Sequence, residues 1–359
     1  MRKHEFPFAR VLVFVPFADR DGRLHNPYYD YPGFREDVSG WFEPLSLPHQ
    51  WVAVTASGLP EAIEAAADAH AAGGAVIVNL CDGSPGEEYP GLEVVEALEA
   101  AALPYTGADP AFYRVTSSKL AMKARFRAAG LPTAPWQVIH EAERDLWSAG
   151  QTLGYPLILK LDGGWGALSA ASIVHDHEAA LNLFAALGHE LRRKHGPVFA
   201  EPFLPGREFT TFVRYDETAR VVALPSCERA YGADPRAQML FGDREQAREG
   251  PVETALDAEL QRLALSAFAA VGGVGYARID MRQDRDGKVM LLEVNANCGL
   301  SDETNQAERG STVGCILQLC DSCMAEQMRA ILTHGWRRWQ EHGGRTAAGR
   351  RTLAAMVRS

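Results

Sequence analysis

Arg278, Asp280, Glu293 and Asn295 stand in two strand-length runs, Tyr276 to Gln283 and Lys288 to Asn295, joined by Asp284-Arg285-Asp286-Gly287. Two such runs around an Asp/Gly turn read as a β-hairpin. A tight turn that sets Asp284 opposite Gly287 puts Met281 opposite Met290, Asp280 opposite Leu291 and Arg278 opposite Glu293. Side chains alternate, so Arg278, Asp280, Glu293 and Asn295 share one face, and Ile279, Met281, Leu292 and Val294 share the other. Acids this close repel each other, and an oxygen-ligated divalent cation removes that cost. Two carboxylates and an amide oxygen suit one or two Mg²⁺ ions, with Mn²⁺ as an alternative. The competing reading is a solvated hairpin face on which Arg278 pairs with Glu293.

Other groups stand where they could meet a phosphorylated ligand. Lys119 opens a helix at Thr116-Ser117-Ser118-Lys119, and Lys123 lies on the same helix face. Lys160 sits in a strand, Leu157 to Leu161, that runs into Asp162-Gly163-Gly164-Trp165-Gly166-Ala167-Leu168-Ser169. Glycines there let backbone N–H groups approach phosphates, although this is not the GxxxxGK[ST] loop. A strand at Val198–Glu201 leads into Pro202-Phe203-Leu204-Pro205-Gly206-Arg207-Glu208. A polar loop, Ser226 to Gly250, contains Glu228-Arg229-Ala230-Tyr231.

In this order the motifs resemble the ATP-grasp fold, and within it the D-alanine–D-alanine ligases. Ala277-Arg278-Ile279-Asp280 and Leu292-Glu293-Val294-Asn295 followed by Gly299 look like its metal-binding end. The resemblance covers roughly residues 75–335 and implies an α/β chain (α+β in its ATP-binding part), with an ATP-grasp fold behind an N-terminal open parallel sheet domain. It implies Asp280, Glu293 and Asn295 as metal ligands, and Lys119, Lys160, Gly163, Gly164 and Gly166 around the phosphates. Glu201 and the Leu204 backbone would hold adenine and Glu208 the ribose. Arg229 is the nearest match to a phosphate-contacting residue and Tyr231 to a substrate-side tyrosine. Arg278 and Lys160 would act in catalysis. Asp82, Gly299 and Ser301 fall on the substrate side. Asp302 and Glu303 could hold a substrate ammonium, the alternative being a solvated helix N-terminus.

The chemistry so implied is ATP-dependent joining of a small-molecule carboxylate to an amine through an acyl phosphate. A phosphotransferase that stops at phosphorylation and a non-catalytic nucleotide-binding regulator are the alternatives. Three departures stand out. Trp165 occupies a place where a small polar residue is expected, and Cys298 replaces a proline. Val15-Pro16-Phe17-Ala18-Asp19 follows the first strand where the ligases carry a glycine-rich turn and a glutamate for the first amino acid. A substrate other than D-alanine is therefore expected.

The remaining sequence supplies the scaffold. The chain has 359 residues, enough for several cores, and a net charge of −10, which excludes the basic field of a general nucleic-acid binder. No apolar run approaches the roughly 18 residues of a membrane span. Val11 to Val15 is strand-length and not a signal-peptide core, so a cytoplasmic protein with no membrane partner is expected. Six cysteines fit a reducing compartment; Cys320-Asp-Ser-Cys323 is read as packing within an apolar helix, and His175-Asp-His177 is too little for a metal site.

Strands at Val11–Val15, Trp51–Thr55 and Ala75–Leu80 alternate with helices at Pro60–Ala72 and Gly91–Ala102, which predicts an open parallel sheet with ligands near its strand ends. Asp19 to Gln50 reads as a long aromatic loop, either covering a substrate or packing against a neighbour. Leu256 to Val271 and Ser311 to His334 read as helices. The expected division is 1–114 for the parallel-sheet domain, 115–203 and 204–335 for two ATP-grasp subdomains, and 336–359 for an arginine-rich tail. That tail is read as solvated, with a phosphate-binding or homodimer-forming arm as the alternative.

Overall fold

The computed structural model describes residues 6–26, 29, 32–83, 88–163, 173–230, 248–302 and 311–342. Of the residues singled out above, Gly164, Trp165, Gly166, Tyr231 and Glu303 lie outside these, as do residues 343–359 of the tail.

The N-terminal parallel sheet is present, with strand order His49–Val54, Arg10–Pro16, Ala75–Asn79. Its central strand is covered on both faces: Leu12 and Phe14 enter one hydrophobic cluster, and Val11, Val13 and Val15 another. That explains an apolar run without alternation. The aromatic stretch is not a long loop. It folds as a short hairpin, Ala18–Arg20 with Arg23–His25, followed by the helix Pro32–Phe42. Phe34, Trp41 and Phe42 are buried in the second cluster, so packing is what these aromatics do.

An antiparallel sheet in the order Gln137–Ile139, Val198–Pro202, Leu157–Leu161, Ile173–Val174 carries Lys160 and Glu201. It has a core of its own, built from Leu159, Leu161, Val198 and Ala200 against the helices Ala142–Leu153 and His177–Ala186.

The largest sheet runs Arg248–Pro251, Cys227–Ala230, Glu208–Tyr215, Tyr276–Gln283, Val289–Ala296, with Val221–Ala223 also paired to Glu208–Tyr215. Its apolar face, including Phe209, Val213, Ile279 and Met281, packs in the same cluster as Leu12 and Phe14 of the N-terminal sheet. Part of the loop expected at Ser226–Gly250 is thus strand: Cys227–Ala230 pairs with both Glu208–Tyr215 and Arg248–Pro251.

The hairpin exists, but its register differs from the tight-turn expectation. Beside the turn, Gln283 pairs with Val289, Arg282 with Met290 and Met281 with Leu291. The register then shifts between Met281 and Asp280, so that Asp280 pairs with Glu293, Ile279 with Val294 and Arg278 with Asn295. Leu292 is the extra residue of a β-bulge. In an unbroken strand Leu291 and Glu293 would share a face. The bulge separates them: Leu291 is fully buried in the core, Leu292 is half-buried, and Glu293 faces the site. The core residue is therefore Leu291, not Leu292. The expected one-face set of Arg278, Asp280, Glu293 and Asn295 survives, because the longer turn and the bulge each shift the pairing by one.

Val289–Ala296 is the last strand of this sheet, and its outer edge is covered at the bulge. Leu291 donates its N–H to Pro132 O at 2.8 Å and accepts from Thr133 Oγ1 at 3.1 Å. Covering an edge in this way blocks pairing with another chain.

The helix expected across Ser311–His334 is two helices, Thr312–Leu319 and Met324–Glu341, broken at Cys320–Cys323. The CxxC therefore lies in a connection rather than within an apolar helix. The second helix also absorbs the start of the arginine-rich segment. Arg338 donates to Gly107 O (2.8 Å) and Tyr105 O (3.2 Å), and Trp339 donates to Ala102 O (2.6 Å), so this part is docked and not a frayed end. Gly107 has φ +86°, and a Cβ there would lie 2.2 Å from Asn297 Oδ1, which accepts from Ala108 N–H at 2.9 Å. Only glycine allows the Pro104–Gly107 turn to approach the end of the hairpin this closely.

The observed register fixes a stability order. Leu291→Ala should cost about 2–5 kcal/mol by emptying a core position, whereas Leu292→Ala should cost under about 1 kcal/mol. Urea unfolding of the two variants measures this, and the reverse order would contradict the bulge.

Candidate active site

Asp280 and Glu293 face each other directly across the hairpin, each reached by donors from a different element. Arg278 grips Asp280 with Nε and Nη2, both at 2.9 Å. Thr210, opposite Asp280 on the neighbouring strand, donates its hydroxyl at 2.7 Å. Asn295 Nδ2 donates to Asp280 at 2.9 Å and to Glu293 at 3.5 Å. Lys119 Nζ lies 3.8 Å from Glu293. Burial pushes the Asp280 carboxyl up, but the guanidinium of Arg278, joined by the charge of Arg229 and the Thr210 hydroxyl, more than reverses this and holds it below the usual aspartate value.

Among the described residues no group of three or more His, Cys, Asp or Glu gathers. Two carboxylates and one amide suit Mg²⁺, which takes its remaining ligands from water and phosphate. The donor set thus fits the ion, with Asn295 offering its oxygen once the amide turns over. Arg278, Lys119 and the Asn295 amide nitrogen here balance the charge of the two acids.

The same sheet face continues to Glu208, opposite Arg282 on one side and Arg229 on the other. Arg229 Nη1 lies 3.2 Å from Glu208, its Nη2 also reaches Glu249 (3.2 Å) and Thr312 (2.7 Å), and Arg282 Nη1 lies 3.3 Å from Glu208. Arg229 is thus firmly held in the sheet, unlike the loop residue the sequence suggested.

On the facing sheet Glu201 is buried between two lysines: Lys160 Nζ lies 2.6 Å from Oε1 and Lys123 Nζ 2.6 Å from Oε2. Burial alone would raise the carboxyl, yet the two ammonium groups bring it down to about 2. Burial pulls Lys123 below the usual lysine value, and Glu201 opposes that pull. Leu204 follows in the chain and is buried.

Asp162 joins Lys119 to the lysine strand. Its carboxylate accepts from Ser118 Oγ (2.8 Å) and Leu120 N–H (2.8 Å), and its carbonyl accepts from Lys119 N–H (3.0 Å). Ser118 caps the helix Lys119–Ala128 through Ala121 N–H. Gly163 donates its N–H to His195 O at 2.7 Å.

The substrate-side residues divide. Asp82 accepts from the buried Tyr29 hydroxyl at 3.0 Å. Gly299 lies just beyond the hairpin. Ser301 and Asp302 turn elsewhere: Ser301 Oγ donates to Asp37, and Asp302 accepts from Met324 N–H at 2.6 Å, at the start of the last helix. Their polar atoms are spent on packing and capping, so the helix-terminus alternative describes Asp302 better than an ammonium site. Sequence reading missed Lys123, Thr133, Asp162, Thr210 and Arg282 as members of this constellation. Of these only Lys123 carried a signal, its spacing from Lys119.

The family model described as the D-ala D-ala ligase C-terminus matches residues 126–317. The chain belongs to the D-alanine–D-alanine ligase family. It is 31% identical over 207 residues to the D-alanine–D-alanine ligase of Stutzerimonas stutzeri, a match covering 58% of this chain and 63% of that protein. It is 31% identical over 225 residues to the enzyme of Acinetobacter baumannii, covering 62% and 70%. A solved D-alanine–D-alanine ligase from Bacillus anthracis, complexed with ATP, superposes with a TM-score of 0.67 at 18% identity, covering 93% of this chain and 100% of that one. The fold is thus the ATP-grasp fold, as the ordered motifs implied. Among the described residues no helix is long and apolar enough to cross a membrane.

The buried Glu201 cluster has a pH signature. Its folded value near 2 lies below that of an unfolded glutamate, so its stabilisation is present above about pH 4.5 and lost as pH falls towards 2. Urea unfolding of wild type and Glu201→Gln should show a gap that is widest near neutrality and closes through that window. A gap independent of pH would mean that Glu201 is not ionised in the fold.

Proposed function

We propose that the protein is an ATP-dependent carboxylate–amine ligase whose site lies between the sheet carrying Glu201 and the hairpin carrying Asp280. The observation that carries this reading is the direct opposition of Asp280 and Glu293 on one face, ringed by Arg278, Lys119 and Asn295. ATP and a divalent ion bring the charges that such a face balances.

Glu201 and the Leu204 backbone hold adenine, and Glu208 the ribose. Lys119, Lys160, Arg229 and Gly163 face the phosphates, with Gly164 and Gly166 in the same role. Asp280, Glu293 and Asn295 are the groups that would hold Mg²⁺ or Mn²⁺, which supplies charge neutralisation at the phosphates when bound. A substrate carboxylate oxygen attacks the γ-phosphorus, the bond to ADP breaks, and an acyl phosphate forms. The amine then attacks the acyl carbon, inorganic phosphate leaves with the C–O bonding pair, and the nitrogen gives up a proton. Arg278 is placed to stabilise charge on the transferring group and on the acyl phosphate. Positioning and electrostatics supply most of the catalysis in such reactions.

The carboxylate substrate is an amino acid or small peptide other than D-alanine. After the first strand Phe17 is buried, and Pro16 O accepts from Asn26, so packing occupies the place of a substrate-binding glutamate. Polar groups remain on that side. Asp82 is there, and Tyr276, two residues before Arg278, has a buried hydroxyl with no hydrogen-bond partner among the described residues. A buried hydroxyl left this way suits a ligand contact. The reaction as written needs no macromolecular partner. Neither a dimer nor a cytoplasmic location is needed for it; both remain expectations.

Screening amino acids and small peptides for ADP release identifies the substrates. With the right carboxylate, ATP and hydroxylamine, a hydroxamate should accumulate, whereas ADP release without hydroxamate would point to a phosphotransferase. Glu293→Gln should lower ATP turnover by about 10² or more. Near-normal turnover at saturating Mg²⁺ would remove the metal assignment.

A further inference from the structure

Lys123 has no part in the chemistry above, yet it is among the most buried charges in the molecule. Its side chain is 3% exposed, against 19% for Lys160, and both ammonium groups contact Glu201. Two cations on one anion leave a buried excess of positive charge, which low dielectric penalises. The excess is relieved when one lysine finds another anion. Lys160, the more exposed, is the one with access to a bound triphosphate. Lys123 is held back: it donates to Thr133 Oγ1 at 3.0 Å, and Thr133 donates its own proton to Leu291 O at the bulge.

We propose that Lys123 is a positioning residue for recognition of the nucleotide base, keeping Glu201 ionised and aimed when Lys160 turns to phosphate, and thereby setting the preference for a 6-amino over a 6-oxo purine. The proposal rests on the reading of Glu201 as acceptor for the adenine amino group. An ionised carboxylate only accepts hydrogen bonds, so it suits the 6-amino group of ATP and repels the 6-oxygen of inosine triphosphate. Without Lys123, Glu201 is left a lone buried anion once the triphosphate draws Lys160 away, and it takes up a proton. A protonated carboxyl donates, and so tolerates the 6-oxygen. ATP binding weakens and discrimination erodes together. Through Thr133 the same lysine ties the base-reading acid to the ribbon that carries Asp280 and Glu293.

The test is titration calorimetry of the full chain with Mg²⁺ and either ATP or inosine triphosphate. Wild type, Lys123→Met, Lys123→Arg, Thr133→Val and Glu201→Gln are compared. Wild type should prefer ATP, and Glu201→Gln should lose that preference. Lys123→Met should weaken ATP binding and cut the ATP-to-ITP affinity ratio, each by about tenfold or more, while Lys123→Arg restores most of the ratio. Thr133→Val keeps the charge but frees the lysine, and should lower the ratio about threefold; it serves as the test if Lys123→Met does not fold. A wild-type ratio in Lys123→Met, or in Thr133→Val where that variant stands in, overturns the role of Lys123 while leaving Glu201 as the base reader. A Glu201→Gln variant that still prefers ATP overturns the reading of Glu201, and the proposal with it.

Discussion

One extra residue, Leu292, reconciles two demands that an ordinary strand cannot meet. Leu291 must enter the core and Glu293 must face Asp280, yet the period of two would put both on the same side. The bulge spends Leu292 to separate them. The cost is an unpaired stretch at a sheet edge, offset by Pro132 and Thr133, which take up the outward N–H and C=O of Leu291. The connection after the lysine helix is thereby fastened to the metal-side hairpin. The Lys119 ammonium near Glu293 and the Lys123 ammonium on Glu201 both leave the same helix, one turn apart.

From that fastening follows an arrangement in which each carboxylate assigned to the nucleotide or the metal already has a cation beside it. Asp280 has Arg278, Glu293 has Lys119, Glu208 has Arg229 and Arg282, and Glu201 has Lys123 and Lys160. Carboxylates buried without such partners would be expelled or neutralised. The cations that hold them are also those suited to phosphate oxygens. Nucleotide binding in this reading is an exchange of anions on standing cations rather than the gathering of new ones, which spares reorganisation at the moment of reaction.

The sequence was most legible where the pattern is local. Strand Leu157–Leu161 was read to the residue, and the parallel sheet and the face shared by Arg278, Asp280, Glu293 and Asn295 followed from periodicity. The hairpin register was not legible, because neither turn length nor a bulge leaves a mark in a run such as Leu291-Leu292-Glu293. The helix Pro32–Phe42 went unread although Phe34, Val38, Trp41 and Phe42 keep helical spacing on one buried side, because Pro32, Gly33, Gly40 and Pro44 in and around it read as loop residues. Partners of buried charges were the hardest to see. Lys123 and Glu201 are joined by no spacing rule, and Asp162 reads as part of a glycine-rich loop until the fold sets it at the start of the Lys119 helix. Ser301 and Asp302 have partners that no spacing rule reveals: Ser301 donates to Asp37, and Asp302 accepts from the first N–H of the last helix.

The central claim is that the bulged hairpin brings Asp280 and Glu293 together to hold a divalent ion on a bound nucleotide. A crystal structure of the chain with Mn²⁺ and a non-hydrolysable ATP analogue, with manganese located by its anomalous signal, tests this most directly. The account predicts a manganese peak bridging the Asp280 and Glu293 carboxylates and the analogue's phosphates, with the Asn295 oxygen turned towards it. Manganese bound elsewhere, with Asp280 still closed on Arg278 and the Asn295 nitrogen, would contradict it.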